Sequence, residues 1–311
     1  MSETNAVRQN AVVAAVIGLG SMGMGMAKSM HRAGIDVIGC DIMSAAVDRF
    51  IADGGHGAAT AADAAKGADI VVSVVVNGAQ TEALLFGPDG IAGLMKPGAV
   101  FISSATMDPA VARDLSQGVE ALGLHYLDAP ISGGAAKAAS GQLTIMASGS
   151  RRAFELARPA LDAMAGKVYE LGDAAGAGAA FKMVNQLLAG VHIAAACEAI
   201  TFAAKQGLDL DKVYEVITAS AGNSWMFENR VPHVLAGDYT PLSTVEIFVK
   251  DLGIVQDMAR AERYPVPLVA AALQMYLAAS GAGMGRDDDA SLARVYASLS
   301  GVRLPDAKPE G

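Results

Sequence analysis

An unbroken apolar run, Val12–Ile17, leads directly into Gly18-Leu19-Gly20-Ser21-Met22-Gly23, and the pattern turns helical at once over Ser21–Arg32. No other feature constrains the fold as tightly. An apolar run without a polar side chain is the pattern of a parallel strand buried on both faces. Glycines spaced G-x-G-x-x-G between such a strand and a helix form the turn that receives a dinucleotide pyrophosphate. Gly18 permits the tight turn, Gly20 lets the backbone approach the phosphates, and Gly23 lets helix and strand pack closely. The helix start adds free N–H groups and the positive end of its dipole. In a chain with 35 glycines the bare pattern is weak, and a Gly-rich structural turn is the alternative. The strand before it and the helix after it carry the reading.

Asp41 follows a second short strand, Asp36–Cys40, at the distance where such folds place an acid on the adenosine ribose. Its carboxylate would repel a 2′-phosphate, and the next residues, Ile42, Met43 and Ser44, supply no Arg to accept one. The pattern therefore points to NAD over NADP, the alternative being that Asp41 caps the helix near Ser44. Further apolar runs at Ile70–Val76 and Ala99–Ser103, with helical patterns between, extend a parallel sheet built from βαβ units. Leu124–Leu127, Leu143–Ala147 and Lys167–Glu170 read as more strands. After about Gly172 strands stop, and one helical pattern runs from Gly176 to about Gln206, with more helices behind it. The expected fold is an α/β Rossmann-type doubly wound sheet over 11–173, followed by an all-α domain over 174–305. The polar ends, 1–10 and 306–311, are expected to be flexible.

Composition removes several functions. The net charge of −9 argues against nucleic-acid and anionic-membrane partners. Although 52% of residues are hydrophobic, the most apolar stretch, Leu187–Ala204, is Ala-rich and holds His192, Glu198 and Thr201, so it reads as a buried helix. Its apolar surface suggests a homodimer or homotetramer. Two distant cysteines, Cys40 and Cys197, make no disulfide framework and suit the cytoplasm. The histidines (His31, His56, His125, His192, His233) are scattered, with neither H-E-x-x-H nor G-x-S-x-G present, so no metal is expected.

Hydride chemistry needs a proton acceptor and a substrate anchor. Ser132, Gly133 and Gly134, within Asp128-Ala129-Pro130-Ile131-Ser132-Gly133-Gly134, offer a hydroxyl and consecutive N–H groups for a carboxylate, or else form an ordinary turn. Lys182 lies in the first turns of an otherwise apolar helix. Burial and the helix dipole would both lower its pKa and make it a general base; the alternative is a snorkelling surface lysine. Asn185 and Gln186 lie near it at i+3 and i+4.

In order along the chain, four signatures resemble those of the β-hydroxyacid dehydrogenases, which include 3-hydroxyisobutyrate dehydrogenase and tartronate semialdehyde reductase. They are the Gly18–Ala27 loop, the Asp128–Leu143 segment, Gly178-x-x-x-Lys182, and Lys250-Asp251-Leu252-Gly253. The resemblance covers essentially the whole chain. It implies that Lys182 is the catalytic lysine and that Ser132, Gly133 and Gly134 bind the substrate carboxylate. Gly18–Gly23, Asp41, Asn77 and Thr106 would hold NAD; Lys250 would reach cofactor and substrate, supported by Asp251. The family usually has Asn where this chain has Gln186, and often Ser where it has Ala105. Lys182–Glu198 and Asn223–Arg230 resemble the branch that oxidises the C2 hydroxyl of a four-carbon sugar acid. His192, Asn223, Trp225 and Asn229 are then candidates for the polyol end, against the plainer reading that they pack the core. Oxidation of 3-hydroxyisobutyrate, reduction of tartronate semialdehyde, imine reduction and a non-catalytic NAD-bound interaction module are the alternatives.

Overall fold

The protein is described by a computed structural model that covers residues 12–306. The ends expected to be flexible lie outside the described residues, Asp306 excepted. Two compact units divide after Lys182, inside a long helix and later than the expected boundary at 173/174.

The first unit begins β1 (Val13–Ile17), α1 (Ser21–Arg32), β2 (Asp36–Cys40), α2 (Ser44–Ala52), β3 (His56–Gly57) and α3 (Ala61–Ala65). It continues with β4 (Ile70–Ser73), α4 (Gly78–Phe86), β5 (Val100–Ser103), α5 (Pro109–Glu120) and β6 (His125–Asp128). These six strands form one parallel sheet in the order β3-β2-β1-β4-β5-β6. Strand alternation splits its core into two layers. Ala14, Val16, Ile102 and Leu127 pack with Met26, Met30 and Leu161. Ala15, Ile17, Val71 and Phe101 pack with Leu85, Ala112 and Leu115. Strand order reverses between β1 and β4, so their C-terminal ends open the crevice where ligands of such sheets bind.

The remaining strands of this unit do not extend that sheet. β7 (Ile131–Ser132) precedes α6 (Gly134–Ser140), β8 (Leu143–Ala147), α7 (Arg151–Met164) and β9 (Ala165–Glu170). β7 pairs antiparallel with β8, which pairs parallel with β9. Pro130, lacking an N–H, stands between β6 and β7 and cannot donate to a continued ladder. Its carbonyl instead accepts from Met146 N at 3.0 Å.

Helix α8 (Ala177–Lys205) passes through the division. Behind it come α9 (Leu210–Thr218), α10 (Trp225–Ala236), α11 (Val245–Ala261), α12 (Pro267–Ala279) and α13 (Leu292–Ser300), with no strand among the described residues. α8 and the stretch Pro267–Met284 are long and apolar enough to cross a membrane. In α8, however, Ile193, Cys197 and Ile200 face the core of the helical unit, with Phe248, Leu252 and Tyr276. Gly190 brings α8 against α11: a Cβ there would lie 2.8 Å from Leu252 Cδ2 and 3.0 Å from Phe248 Cδ1.

A buried ion pair locks α10 to the turn before α13. Arg230 Nε meets Asp289 Oδ1 at 2.5 Å, and both side chains are buried. Leu242 N and Ala290 N donate to the neighbouring Asp288 carboxylate at 2.8 and 3.0 Å. Burial pushes the Asp289 carboxyl up to about 6, with Arg230 opposing it. From about pH 4 to about pH 6 the folded protein therefore keeps a proton that the unfolded chain has released. The sign follows: wild type should lose stability relative to Asp289→Asn as pH rises through that window. Urea unfolding at half-unit pH steps measures it, and a pH-independent difference would contradict the assignment.

Candidate active site

The Gly18–Gly23 turn sits at the C-terminal end of β1 with the geometry its glycines require. Gly18 has φ +97°, and a Cβ on it would lie 2.6 Å from Val74 O. A Cβ on Gly23 would lie 1.8 Å from Gly18 O, so only glycine lets α1 start this close to the strand. Leu19 is buried and anchors the turn. Gly20 and Ser21 are exposed, and nothing stands within 4 Å of a Cβ on Gly20. No side chain caps α1, and no acid lies in its first turn. The Ser21, Met22 and Gly23 N–H groups thus open the helix without a side-chain acceptor, as an anion site requires. Asp41 accepts from Leu19 N at 2.6 Å and Met43 N at 2.8 Å, which ties the acid to the loop. Beside it Ile42 is fully exposed and Met43 is 63% exposed, an apolar surface suited to an adenine face. A cradle open at Gly20, uncapped N–H groups and a carboxylate at ribose position fit a dinucleotide.

Two more predicted cofactor residues lie on turns that leave the same strand ends. Asn77 caps α4, its Oδ1 accepting Gln80 N at 2.8 Å. Thr106 is half-buried on the turn between β5 and α5.

Glycine also cements α1 to α6, a feature the sequence reading passed over. A Cβ on Gly25 would lie 2.6 Å from Ala139 N, and Ser29 Oγ donates to Ala138 O at 2.8 Å. The helix that follows Ser132–Gly134 is therefore fastened to the helix that opens the nucleotide loop. Gly133 and Gly134 have φ +135° and +76°, and Gly134 is exposed with open space around it.

The start of α8 rests on a second missed feature, the carboxylate of Asp128. Its Oδ2 accepts from Gly176 N and Ala179 N, both at 2.9 Å. Ser148 Oγ accepts Gly178 N at 2.9 Å and donates to Asp128 at 3.2 Å. The signal was there: Asp128 ends β6, where strand ends meet ligands and helix starts. Burial raises its pKa, opposed by the N–H groups of Ala179 and Gly176 and by the Ser148 hydroxyl. Lys182, 7% exposed, points its Nζ to Ile131 O at 2.8 Å. The lysine and the Ser132–Gly134 turn, 50 residues apart in sequence, thus meet. The snorkelling alternative is excluded by that burial.

In the helical unit, Gln186 Nε2 donates to Asp251 Oδ2, and Gln186 Oε1 accepts from Asn185 Nδ2 at 2.8 Å. Asp251 Oδ1 lies 2.8 Å from Lys250 Nζ. His192 and Asn223 line a different feature, an apolar groove of about 820 Å³ along α8 and α9. Asn223 Nδ2 also donates to Thr218 O at 3.2 Å. Asn229 Oδ1 is taken by Arg230, and Trp225 is 54% exposed at the start of α10.

Residues 13–172 match the family model of the NAD binding domain of 6-phosphogluconate dehydrogenase. Residues 176–296 match that of the NAD-binding region of NADP-dependent 3-hydroxyisobutyrate dehydrogenase. The chain is 53% identical to an L-threonate dehydrogenase from Cupriavidus necator, over 93% of this chain and 97% of that one. To an L-threonate dehydrogenase from Escherichia coli K12 it is 49% identical, over 94% and 96%. A crystal structure of 3-hydroxyisobutyrate dehydrogenase from Salmonella typhimurium matches with TM-score 0.88 at 50% identity, over 91% of this chain and 99% of that one.

Gly178 offers a direct test of the α8 seat. A Cβ there would lie 2.3 Å from Met146 O and 2.9 Å from Asp128 O, both backbone atoms that cannot swing away. Gly178→Ala should destabilise the protein by about 1–3 kcal/mol and reduce turnover beyond the loss of folded protein, because Lys182 follows one turn later. A variant as stable and active as wild type would show that the seat is loose.

Proposed function

Because the chain belongs to the β-hydroxyacid dehydrogenase family, we propose that it oxidises L-threonate at C2 to the 2-oxo acid with NAD. The observation that carries this reading is the Lys182 Nζ hydrogen bond to Ile131 O, which seats an amine beside Ser132–Gly134. In this reading the Ser132 hydroxyl and the Gly133 and Gly134 N–H groups take the substrate carboxylate. The neutral amine of Lys182 keeps one N–H on Ile131 O and accepts the C2 hydroxyl proton on its lone pair. When bound, NAD supplies the hydride acceptor. Gly18, Leu19, Gly20, Ser21, Met22 and Gly23 hold its pyrophosphate, and Asp41 its adenosine ribose. Asn77 and Thr106 line its path, and Lys250, supported by Asp251, contributes a positive charge toward cofactor and substrate. Much of the rate gain comes from holding the hydroxyl against the amine in one orientation.

L-Threonate is favoured over 3-hydroxyisobutyrate by relatives of about half identity that carry that name. The amide group at Asn185 supports it too, since a site built to pair hydroxyls rejects substrates lacking them. We place the protein in the cytoplasm as a homodimer or homotetramer. On α8, Val184 (60% exposed), Leu188 (49%) and Phe202 (65%) form an apolar stripe on one helix face, and a second copy of the chain would cover it. Sedimentation should give a closed oligomer that Leu188→Glu with Phe202→Glu dissociates; a wild-type monomer at micromolar concentration would refute it.

The deciding assay is NADH formation on L-threonate, D-threonate, D-erythronate, 3-hydroxyisobutyrate and D-glycerate. L-Threonate should give the highest kcat/KM, and NADP should serve poorly because Asp41 repels its phosphate. Preference for 3-hydroxyisobutyrate would replace the substrate and leave the family intact. Lys182→Ala should lower kcat about 10²–10⁴-fold. Lys182→Arg should fail nearly as badly, because guanidinium stays protonated. Oxidation by wild type should rise with pH through one ionisation below that of free lysine, since burial disfavours the ammonium. Near-normal turnover by a folded Arg variant would remove Lys182 from the chemistry and favour a non-catalytic NAD-bound module.

A further inference from the structure

We infer that Gln186 is a positioning residue for Lys250: it acts through Asp251 to set where the ammonium stands and does not serve as the ligand of a substrate hydroxyl. The inference rests on the reading that Lys250 reaches cofactor and substrate. Gln186 is 6% exposed, and its amide is engaged at both ends. Nε2 donates to Asp251 Oδ2, while Oε1 accepts from Asn185 Nδ2 at 2.8 Å. Asp251 is 1% exposed, and its other oxygen lies 2.8 Å from Lys250 Nζ. A buried carboxylate is tolerated when each oxygen has a partner. Here the Gln186 amide supplies a hydrogen bond to one oxygen, and the other, Oδ1, has no hydrogen bond among the described residues and is met by the Lys250 ammonium through its charge. Take away the amide, and the carboxylate loses the bond that fixes its plane, and the ammonium follows it.

The side-chain length at position 186 is explained by the same geometry. α8 and α11 touch one turn further on, where Gly190 leaves no room for a Cβ against Leu252 and Phe248. That contact fixes the two backbones, so the span from position 186 to Asp251 is fixed too. Glutamine bridges it. Asparagine is one methylene or about 1.5 Å shorter and falls short of a hydrogen bond to the same oxygen. Gln186 thus reads as a strut between α8 and α11.

A double-mutant cycle tests this. Steady-state kinetics on L-threonate are measured for Gln186→Leu, Gln186→Asn, Lys250→Met, and Gln186→Leu combined with Lys250→Met. Each Gln186 variant should lose about 10–100-fold in kcat/KM, and the combined variant should be no slower than Lys250→Met alone. Multiplying losses would mean that Gln186 acts by itself, as a substrate ligand would, and would overturn the inference. A Lys250→Met enzyme with normal kinetics would sink the reading of Lys250, and the inference with it. Should the shortened variants fold poorly, Gln186→Glu keeps the length. Two carboxylates at hydrogen-bond distance cannot both ionise at their ordinary value. That variant should add an ionisation to its pH–rate profile above the usual carboxylate range; a profile superimposable on wild type overturns the proposal.

Discussion

The carboxylate of Asp128 is the point on which the site is built. It sits at the end of β6 and takes two backbone N–H groups from the start of α8, with Ser148 taking a third. Such donors would otherwise be buried without partners, at about 1–3 kcal/mol each. Gly178 lets the helix sit down on Met146 and Asp128 with no side chain between. The register of α8 is thereby set from its first turn, and Lys182 reaches the carbonyl of Ile131 on the strand below. Where the amine stands is decided by the turn that precedes it.

The same carboxylate alters the electrostatic argument for a basic lysine. A bare helix N-terminus beside Lys182 would disfavour its ammonium form. Here a buried negative group covers that terminus and offsets the dipole. Separate from the dipole is the loss of water around the Lys182 side chain, which is 7% exposed. The dipole and the burial, which the sequence presents as acting together, are separated by one residue that the sequence places at the head of the Ser132–Gly134 motif.

The parts legible in the sequence are those whose chemistry is local. The turn Gly18–Gly23 announces itself because a left-handed Gly18 and a Cβ-free Gly23 are demanded by backbone contacts within one βα unit. The span of α8 was readable for a similar reason: its apolar pattern runs almost unbroken between Gly176 and Gly207. β7 was not readable, because two residues, Ile131 and Ser132, show no periodicity and pair only with a strand further along the chain. Nor could helix spacing say what Gln186 meets. Positions i and i+4 share a face, but the partner of that face, Asp251, lies on another helix. Gly25 escaped notice as well, since its role appears only when α6 is laid against α1.

The division after Lys182 gives this arrangement a further meaning. The nucleotide loop, the Ser132–Gly134 turn and Lys182 all belong to the first unit, and they are tied together inside it. Gly25 and Ser29 fasten α1 to α6, Ile131 holds Lys182, and Asp128 holds the helix that carries it. Asn185, Gln186, Lys250 and Asp251 belong to the second unit and are linked to each other by their own hydrogen bonds and ion pair. Ser132–Gly134 and Lys182 therefore belong to one compact unit, and Asn185, Gln186, Lys250 and Asp251 to the other. Gln186 falls in the second set, while Gly178 and Lys182, four residues apart at the start of α8, both fall in the first.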